Sequence, residues 1–329
     1  MNLVRPPSVD VHLTPADLYA QLAHDVRIGL TSSQKWIPAT WFYDDEGCRL
    51  FDEITRLPEY YPTRTERAIL ADAADEIAAA ARPGTVIELG AGTSEKTTLL
   101  LDAFLRVGSL ARFVPFDVAE ATLVDAMARL GERYPIEFHG VVGDFRRHLP
   151  EVFEATADDG PRLVVFLGGT IGNLNETERH AFFREVAGCL RPEDSLLLGT
   201  DLVKDRDRLV RAYDDAAGVT AAFDRNVLRV LDRELDADLD PDRFDHVALF
   251  DETHQRIEMR LRARDTHEAN VKALDLGVHF EAGEDLLTEI SCKFTPERLV
   301  DELHRGGFET VQTWTDPASD FLVTLARPE

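Results

Sequence analysis

The chain reads as an α/β protein built on a mostly parallel, Rossmann-like sheet of seven strands, with a second α+β lobe. Three observations predict this. Short apolar runs alternate with amphipathic segments at helical spacing from about residue 85. Several of those runs are continuously apolar, as strands covered on both faces must be. The first is followed at once by a Gly-x-Gly turn, which allows close backbone approach at a strand-to-helix junction.

In order, TVIEL (85–89) is the first such strand, and TTLLLDAFLRV (97–107) the helix after the glycine turn. RFVPFDV (112–118) is a strand, ATLVDAMARLGERY (121–134) an amphipathic helix, and IEFHGVVGD (136–144) a third strand. RLVVFLGG (162–169) is a central strand, and NETERHAFFREVAGCL (175–190) a helix opened by Asn175 with acids in its first turn. SLLLGTDLV (195–203) is a fifth strand. Then the pattern changes. Residues 204–235 are helical and charged, and HVALFD (246–251), RIEMRLRARD (256–265) and LTEISCKF (287–294) alternate as antiparallel strands do. A capped helix, TPERLVDELHRGGF (295–308), precedes the paired strands ETVQTWTD and FLVTLARP. The expected organisation is one domain from 65–201 with 294–329, and a lobe made of 1–64 with 202–293.

Of the 329 residues, 61 are acidic and 36 basic, a net charge of 36 − 61 = −25. A broad nucleic-acid footprint or docking on anionic lipid needs clustered Lys and Arg, so neither partner is expected. An acidic field suits cationic or zwitterionic small molecules. The 44% hydrophobic content provides a core, and three cysteines (Cys48, Cys189, Cys292) are too scattered for a disulfide framework or a zinc cluster. With no signal-like apolar run near the start and no segment of about 20 apolar residues, the expectation is a cytoplasmic chain without a metal.

The chemistry-bearing segment is Glu88-Leu89-Gly90-Ala91-Gly92-Thr93-Ser94-Glu95-Lys96. Alone it fits a plain βα turn. Asp117 closes the next strand 117 − 92 = 25 residues after Gly92, where a carboxylate can hold a ribose diol. Asp144 closes the third, with Phe145 beside it as an adenine platform. A dinucleotide loop would place its third glycine at Glu95, and a carboxylate there repels pyrophosphate. S-adenosylmethionine carries a sulfonium and no phosphate, so an acid-lined loop suits it. The loop resembles motif I of class I methyltransferases (E/D-x-G-x-G-x-G), departing from it at Ser94.

Longer blocks are more specific. WFYDDEGCRLFDEIT, LPEYYPTRTE, ELGAGTSEKT, VPFDVAE, GDF, FLGGTIGNL, GTDLVKD, AYDDAAGVTAAFDRNVLRVLDREL and LTEISCKF together resemble the histidine-specific Nα-methyltransferase family, in the same order and from about residue 35 onward. The resemblance implies three successive methyl transfers from S-adenosylmethionine to the α-amino group of free L-histidine. Hercynine would be the product, as in the first step of ergothioneine biosynthesis, with S-adenosylhomocysteine released at each transfer and no metal. A monomer is the expected state. Another small amine as acceptor is the alternative reading. An adenosyl-binding regulatory protein without turnover belongs to a different class, and a dehydrogenase is remote.

The resemblance also assigns residues. Gly90, Gly92, Lys96, Asp117, Asp144 and Phe145 would bind the cofactor. Glu289 and Ser291, two apart and so on one side of a strand, would hold the imidazole, although such a pair alone reads as the solvent face of an edge strand. Asn173 and Tyr213 would hold the substrate carboxylate; by themselves they read as a helix cap and a helix-core aromatic. Gly168 would lie near substrate and cofactor, Tyr43 near the reacting amine, Tyr60 near the imidazole, and Met259 in the pocket wall. Tyr43 and Tyr60 could equally pack between lobes, and Met259 could be ordinary core.

Overall fold

The computed structural model describes residues 7–156 and 160–329. Its strands in chain order are β1 (Ser8–Val11), β2 (Thr85–Leu89), β3 (Arg112–Asp117), β4 (Glu137–Val142), β5 (Arg162–Phe166), β6 (Ser195–Asp201), β7 (Phe244–Asp251), β8 (Arg256–Ala263), β9 (His267–Val271), β10 (Leu276–Phe280), β11 (Asp285–Cys292), β12 (Phe308–Thr315) and β13 (Phe321–Pro328). The chain forms two compact units: residues 1–14, 64–202 and 294–329 in the first, and 15–63 with 203–293 in the second.

The first unit holds one sheet in the order β1-β4-β3-β2-β5-β6-β13-β12. Pairs from β1 through β6 are parallel, and β13 runs antiparallel to both β6 and β12. Every residue of β2, β5 and β6 is buried, which is why these strands read as near-continuous apolar runs. Helices Pro62–Ala81, Thr97–Arg106 and Glu120–Arg133 cover the sheet through Ile77, Leu100, Phe104 and Leu123, which join Phe113, Leu163 and Val323 in one core. Chain order reverses direction at the centre, since β3 lies on one side of β2 and β5 on the other. Their carboxyl ends therefore border the crevice in which α/β sheets bind ligands.

Among the described residues the sheet has eight strands, not the seven expected. β1 pairs parallel with β4 (Ser8 opposite His139, Val11 opposite Val142), so residues 7–14 belong to the first unit and not to the lobe. Its residues SVDV are mostly exposed on the sheet edge, and an edge strand this short and polar carries no apolar signature.

The second unit contains a three-stranded antiparallel sheet, β11-β8-β7, and the hairpin β9–β10. The charged stretch after residue 204 forms two helices, Arg206–Tyr213 and Val219–Leu235, interrupted at Asp214–Gly218, where Gly218 has φ 75° and the Asp215 side chain accepts from the amides of Val219 and Thr220. Phe42, Leu209, Phe223, Leu231, Phe244 and Phe280 form its core.

Candidate active site

The cofactor candidates all lie in the first unit. Gly90 and Gly92 have φ of 65° and 49°, a region costly for side-chain-bearing residues, and a Cβ on either would meet nothing within 4 Å. The loop therefore exposes an open strip of backbone just past β2. Asp117, at the end of β3, accepts from Gly92 N at 2.8 Å and from Ala119 N at 2.9 Å. It shapes the loop as well as facing it, and its remaining lone pairs can still take a diol. Burial raises its pKa, opposed by the amides of Ala119, Gly92 and Val118. Buried Glu88 accepts from the Thr97 hydroxyl, and desolvation pushes its carboxyl up to about 7, against the Thr97 and Ser94 hydroxyls and the Lys96 charge.

Asp144, buried after β4, accepts from Arg146 N at 2.9 Å and lies 3.4 Å from the same arginine's guanidinium. Half-buried Phe145 sits edge-on to Phe166 and Phe182, with ring centroids 5.1 and 5.9 Å away. Open glycine backbone, two strand-end carboxylates and a fixed aromatic ring suit an adenosyl group bearing a sulfonium. Glu88 and Glu95, flanking the same loop, do not suit a pyrophosphate.

Lys96 and Gly168 are brought together by a residue absent from the sequence-based assignments. Glu66 is fully buried, accepts the Lys96 ammonium, and takes Gly168 N on both oxygens at 2.9 and 3.0 Å. Nothing in the surrounding helix sets Glu66 apart from its other acids; only its place in the LPEYYPTRTE block was a signal. Gly168 and Gly169, after β5, have φ of 82° and 69°. Asn173 ends the 3-10 turn Thr170–Asn173 and is half-buried. It does not cap the following helix. Asn175 does, in a reciprocal box with Glu178.

The imidazole and wall candidates lie in the second unit. Glu289 and Met259 face each other across β11 and β8, and Ser291 is opposite Ile257. A bulge between Leu287 and Glu289 sets this register. The Tyr213 and Ser291 hydroxyls are 2.8 Å apart, and the ammonium of fully buried Lys293 donates to both, at 2.9 and 2.8 Å. Desolvation raises the Glu289 carboxyl to about 8; Lys293 and His246 oppose the rise and Asp224 adds to it. His246 bridges the Asp224 carboxylate (2.6 Å) and the Tyr213 carbonyl (2.8 Å), which fixes the end of the helix carrying Tyr213. Its pKa is raised although burial opposes this, because Asp224 and the Tyr213 carbonyl favour the imidazolium.

Tyr60 packs against Tyr213, with centroids 6.1 Å apart, and Phe51 lies between Tyr60 and Tyr43 at 6.2 and 5.7 Å. Tyr43 also contacts Phe223 and is 38% exposed, so its ring is fixed on one side and reachable on the other. Lys293, His246 and Asp224 are further polar groups that pattern reading missed. Each stands singly among ordinary strand or helix residues, and only the fold assembles them.

The model of the histidine-specific, S-adenosylmethionine-dependent methyltransferases matches residues 22–328. A histidine N-alpha-methyltransferase of Mycolicibacterium smegmatis is 57% identical over 93% of this chain and 94% of its own length. One of Mycobacterium tuberculosis is 52% identical over 97% and 98%. The ergothioneine biosynthesis protein 1 of Schizosaccharomyces pombe is 30% identical over 87% of this chain, which spans 38% of that longer protein. With a match running through both the glycine loop and the Glu289 strand, the chain belongs to the histidine-specific, S-adenosylmethionine-dependent methyltransferase family.

Proposed function

We propose that this protein trimethylates the α-amino group of L-histidine to hercynine, the first step of ergothioneine biosynthesis. One observation carries the reading: two relatives named for that histidine methylation align over nearly the whole chain at more than half identity. The polar cluster of Glu289, Ser291, Tyr213 and Lys293 supports it, because it offers hydrogen-bonding groups of both kinds at a desolvated place.

When bound, S-adenosylmethionine supplies an electrophilic methyl group on a sulfonium. Gly90 and Gly92 would give it backbone clearance, Asp117 and Asp144 would hold its nucleoside with Phe145 as the platform for the base, and Lys96 would line the same loop. The first unit is thus the cofactor domain and the second the substrate lobe. Glu289 and Ser291 take the two imidazole nitrogens, and Asn173 and Tyr213 the carboxylate. Gly168 presents backbone to the substrate, while Tyr60 and Met259 wall the imidazole. Tyr43 orients the amine, whose lone pair must be unprotonated to attack. Orientation of this kind contributes up to roughly 7–11 kcal/mol. Amino acids without an imidazole leave the Glu289 carboxyl and the outward hydrogen-bonding position of Ser291 unsatisfied, a penalty that enforces selectivity.

The test is incubation with S-adenosylmethionine and a panel of amino acids, read by mass spectrometry. L-histidine should gain three methyl groups with mono- and dimethyl intermediates. A different amine methylated in preference, with histidine untouched, would overturn the reading.

A further inference from the structure

We propose that Lys293 is a positioning residue that couples recognition of the substrate's carboxylate to recognition of its imidazole. The inference rests on the assignment of Tyr213 and Ser291 to histidine made above. Lys293 is 0% exposed, Ser291 5% and Tyr213 7%, so the three polar groups meet away from water. They close a triangle: Lys293 Nζ to Tyr213 Oη 2.9 Å, Lys293 Nζ to Ser291 Oγ 2.8 Å, and hydroxyl to hydroxyl 2.8 Å.

Counting hydrogens in this triangle leads to the coupling. An ammonium has donors and no lone pair, so both hydroxyls must accept from it. Each hydroxyl has one hydrogen and two lone pairs. Their mutual bond uses one of the two hydrogens, and the other points out of the triangle. The hydroxyl that donates inward keeps a single lone pair directed outward. One member of the pair is therefore an outward donor and the other can only accept. If Tyr213 donates to the substrate carboxylate, Ser291 must donate to Tyr213 and can only accept an N–H from the imidazole. Glu289, two residues away on the same strand, then serves the other nitrogen. Without the ammonium, the hydroxyl that accepts the mutual bond keeps a lone pair as well as its outward hydrogen, so it could accept or donate outward and the two roles would no longer be enforced. The lysine's position above the Tyr213 ring, 4.7 Å from its centroid, holds the phenol in place for this arrangement.

The experiment uses the full chain saturated with S-adenosylhomocysteine. Histidine binding is measured by calorimetry for the unaltered protein, Lys293→Met, Ser291→Ala and the double variant. Lys293→Met should weaken histidine binding roughly tenfold, the effect of losing a charged hydrogen-bond donor, while S-adenosylhomocysteine binding stays unchanged. Because the lysine acts through Ser291, the double variant should bind little worse than the weaker single variant. Losses that multiply, or a Lys293→Met protein that binds histidine normally, overturn the inference. A second readout is NMR of histidine with isotopically labelled ring nitrogens bound to the unaltered protein. The nitrogen whose shift moves on Ser291→Ala substitution should be protonated; an unprotonated one overturns the inference even if Lys293→Met does not fold. A protein that binds S-adenosylhomocysteine but no histidine overturns the substrate reading and this inference together, whereas intact histidine binding with an indifferent lysine overturns this inference alone.

Discussion

Two carboxylic acids with raised pKa values make separate demands on pH. Glu289, at about 8, is protonated in the free protein at neutral pH. Between the ordinary imidazole pKa of about 6.5 and that value, neutral histidine brings one ring N–H and Glu289 one carboxyl proton, the two protons that their hydrogen-bonded arrangement uses. Below this window a proton must be released on binding, and above it one must be taken up. Histidine affinity, measured by calorimetry with S-adenosylhomocysteine present, should peak inside the window and fall on both sides. In Glu289→Gln the alkaline fall should vanish; affinity that keeps rising beyond the window would contradict the assignment. Glu88 acts on folding. Its carboxyl is raised from 4.5 to about 7 by burial, so across that window the native state holds the proton more tightly than the unfolded chain and stability falls as pH rises. Relative to wild type, Glu88→Gln should gain stability from pH 5 to 8, by at most about 3 kcal/mol. Denaturant unfolding at the two pH values checks this, and a constant difference would refute it.

Helices and strands meet around Glu66, and the packing there makes a sharp comparison possible. A Cβ on Gly199 of β6 would sit 2.0 Å from Glu66 Oε1, and that carboxylate is held by Gly168 N and Lys96. Gly199→Ala must therefore push Glu66 away from the β5 turn. It should cost about 1–3 kcal/mol, as overpacking does, and lower S-adenosylmethionine affinity. Gly188, late in helix Glu176–Cys189, has open space where its Cβ would be, so Gly188→Ala should be neutral or stabilising by up to about 1 kcal/mol. Equal effects on thermal melting would count against the Glu66 contact. This contrast also marks what is legible in a sequence. The buried parallel strands and the Asn175 cap carry local signals, in apolar runs and a capping box, and appear where periodicity puts them. The edge strand β1 and the hairpin β9–β10 are only four or five residues long, so pairing partners rather than local pattern define them. Glu66 and Lys293 are single charges whose partners lie elsewhere in the chain or matter only once folded. Of the proposed site, the glycine loop with Asp117 was readable from chemistry, while the substrate residues depended on likeness to a family.

Across the whole molecule, 61 acids face 36 lysines and arginines, so the fold carries an excess of 61 − 36 = 25 negative charges at neutral pH. Many arginines are already committed on the surface, as in Arg49 with Glu46 and Glu53, Arg262 with Asp285, and Arg264 with Asp245. Salt acts on these two populations unequally. Exposed pairs at 2.6 to 2.7 Å contribute little to stability, whereas repulsion among the excess acids sums over longer distances. Raising sodium chloride from 0.01 to 0.1 M shortens the screening length from about 30 to about 10 Å, which removes mainly the long-range repulsion. The melting temperature at pH 8 should therefore rise over that interval. Near the sequence pI of about 4.7 the net charge is close to zero, and the same salt step should have little effect or lower the melting temperature by weakening pairs. Scanning calorimetry at pH 8 and pH 5 separates the two: a fall at pH 8, or equal shifts at both, would show that paired charges and not the net acidic excess dominate the electrostatics of this fold.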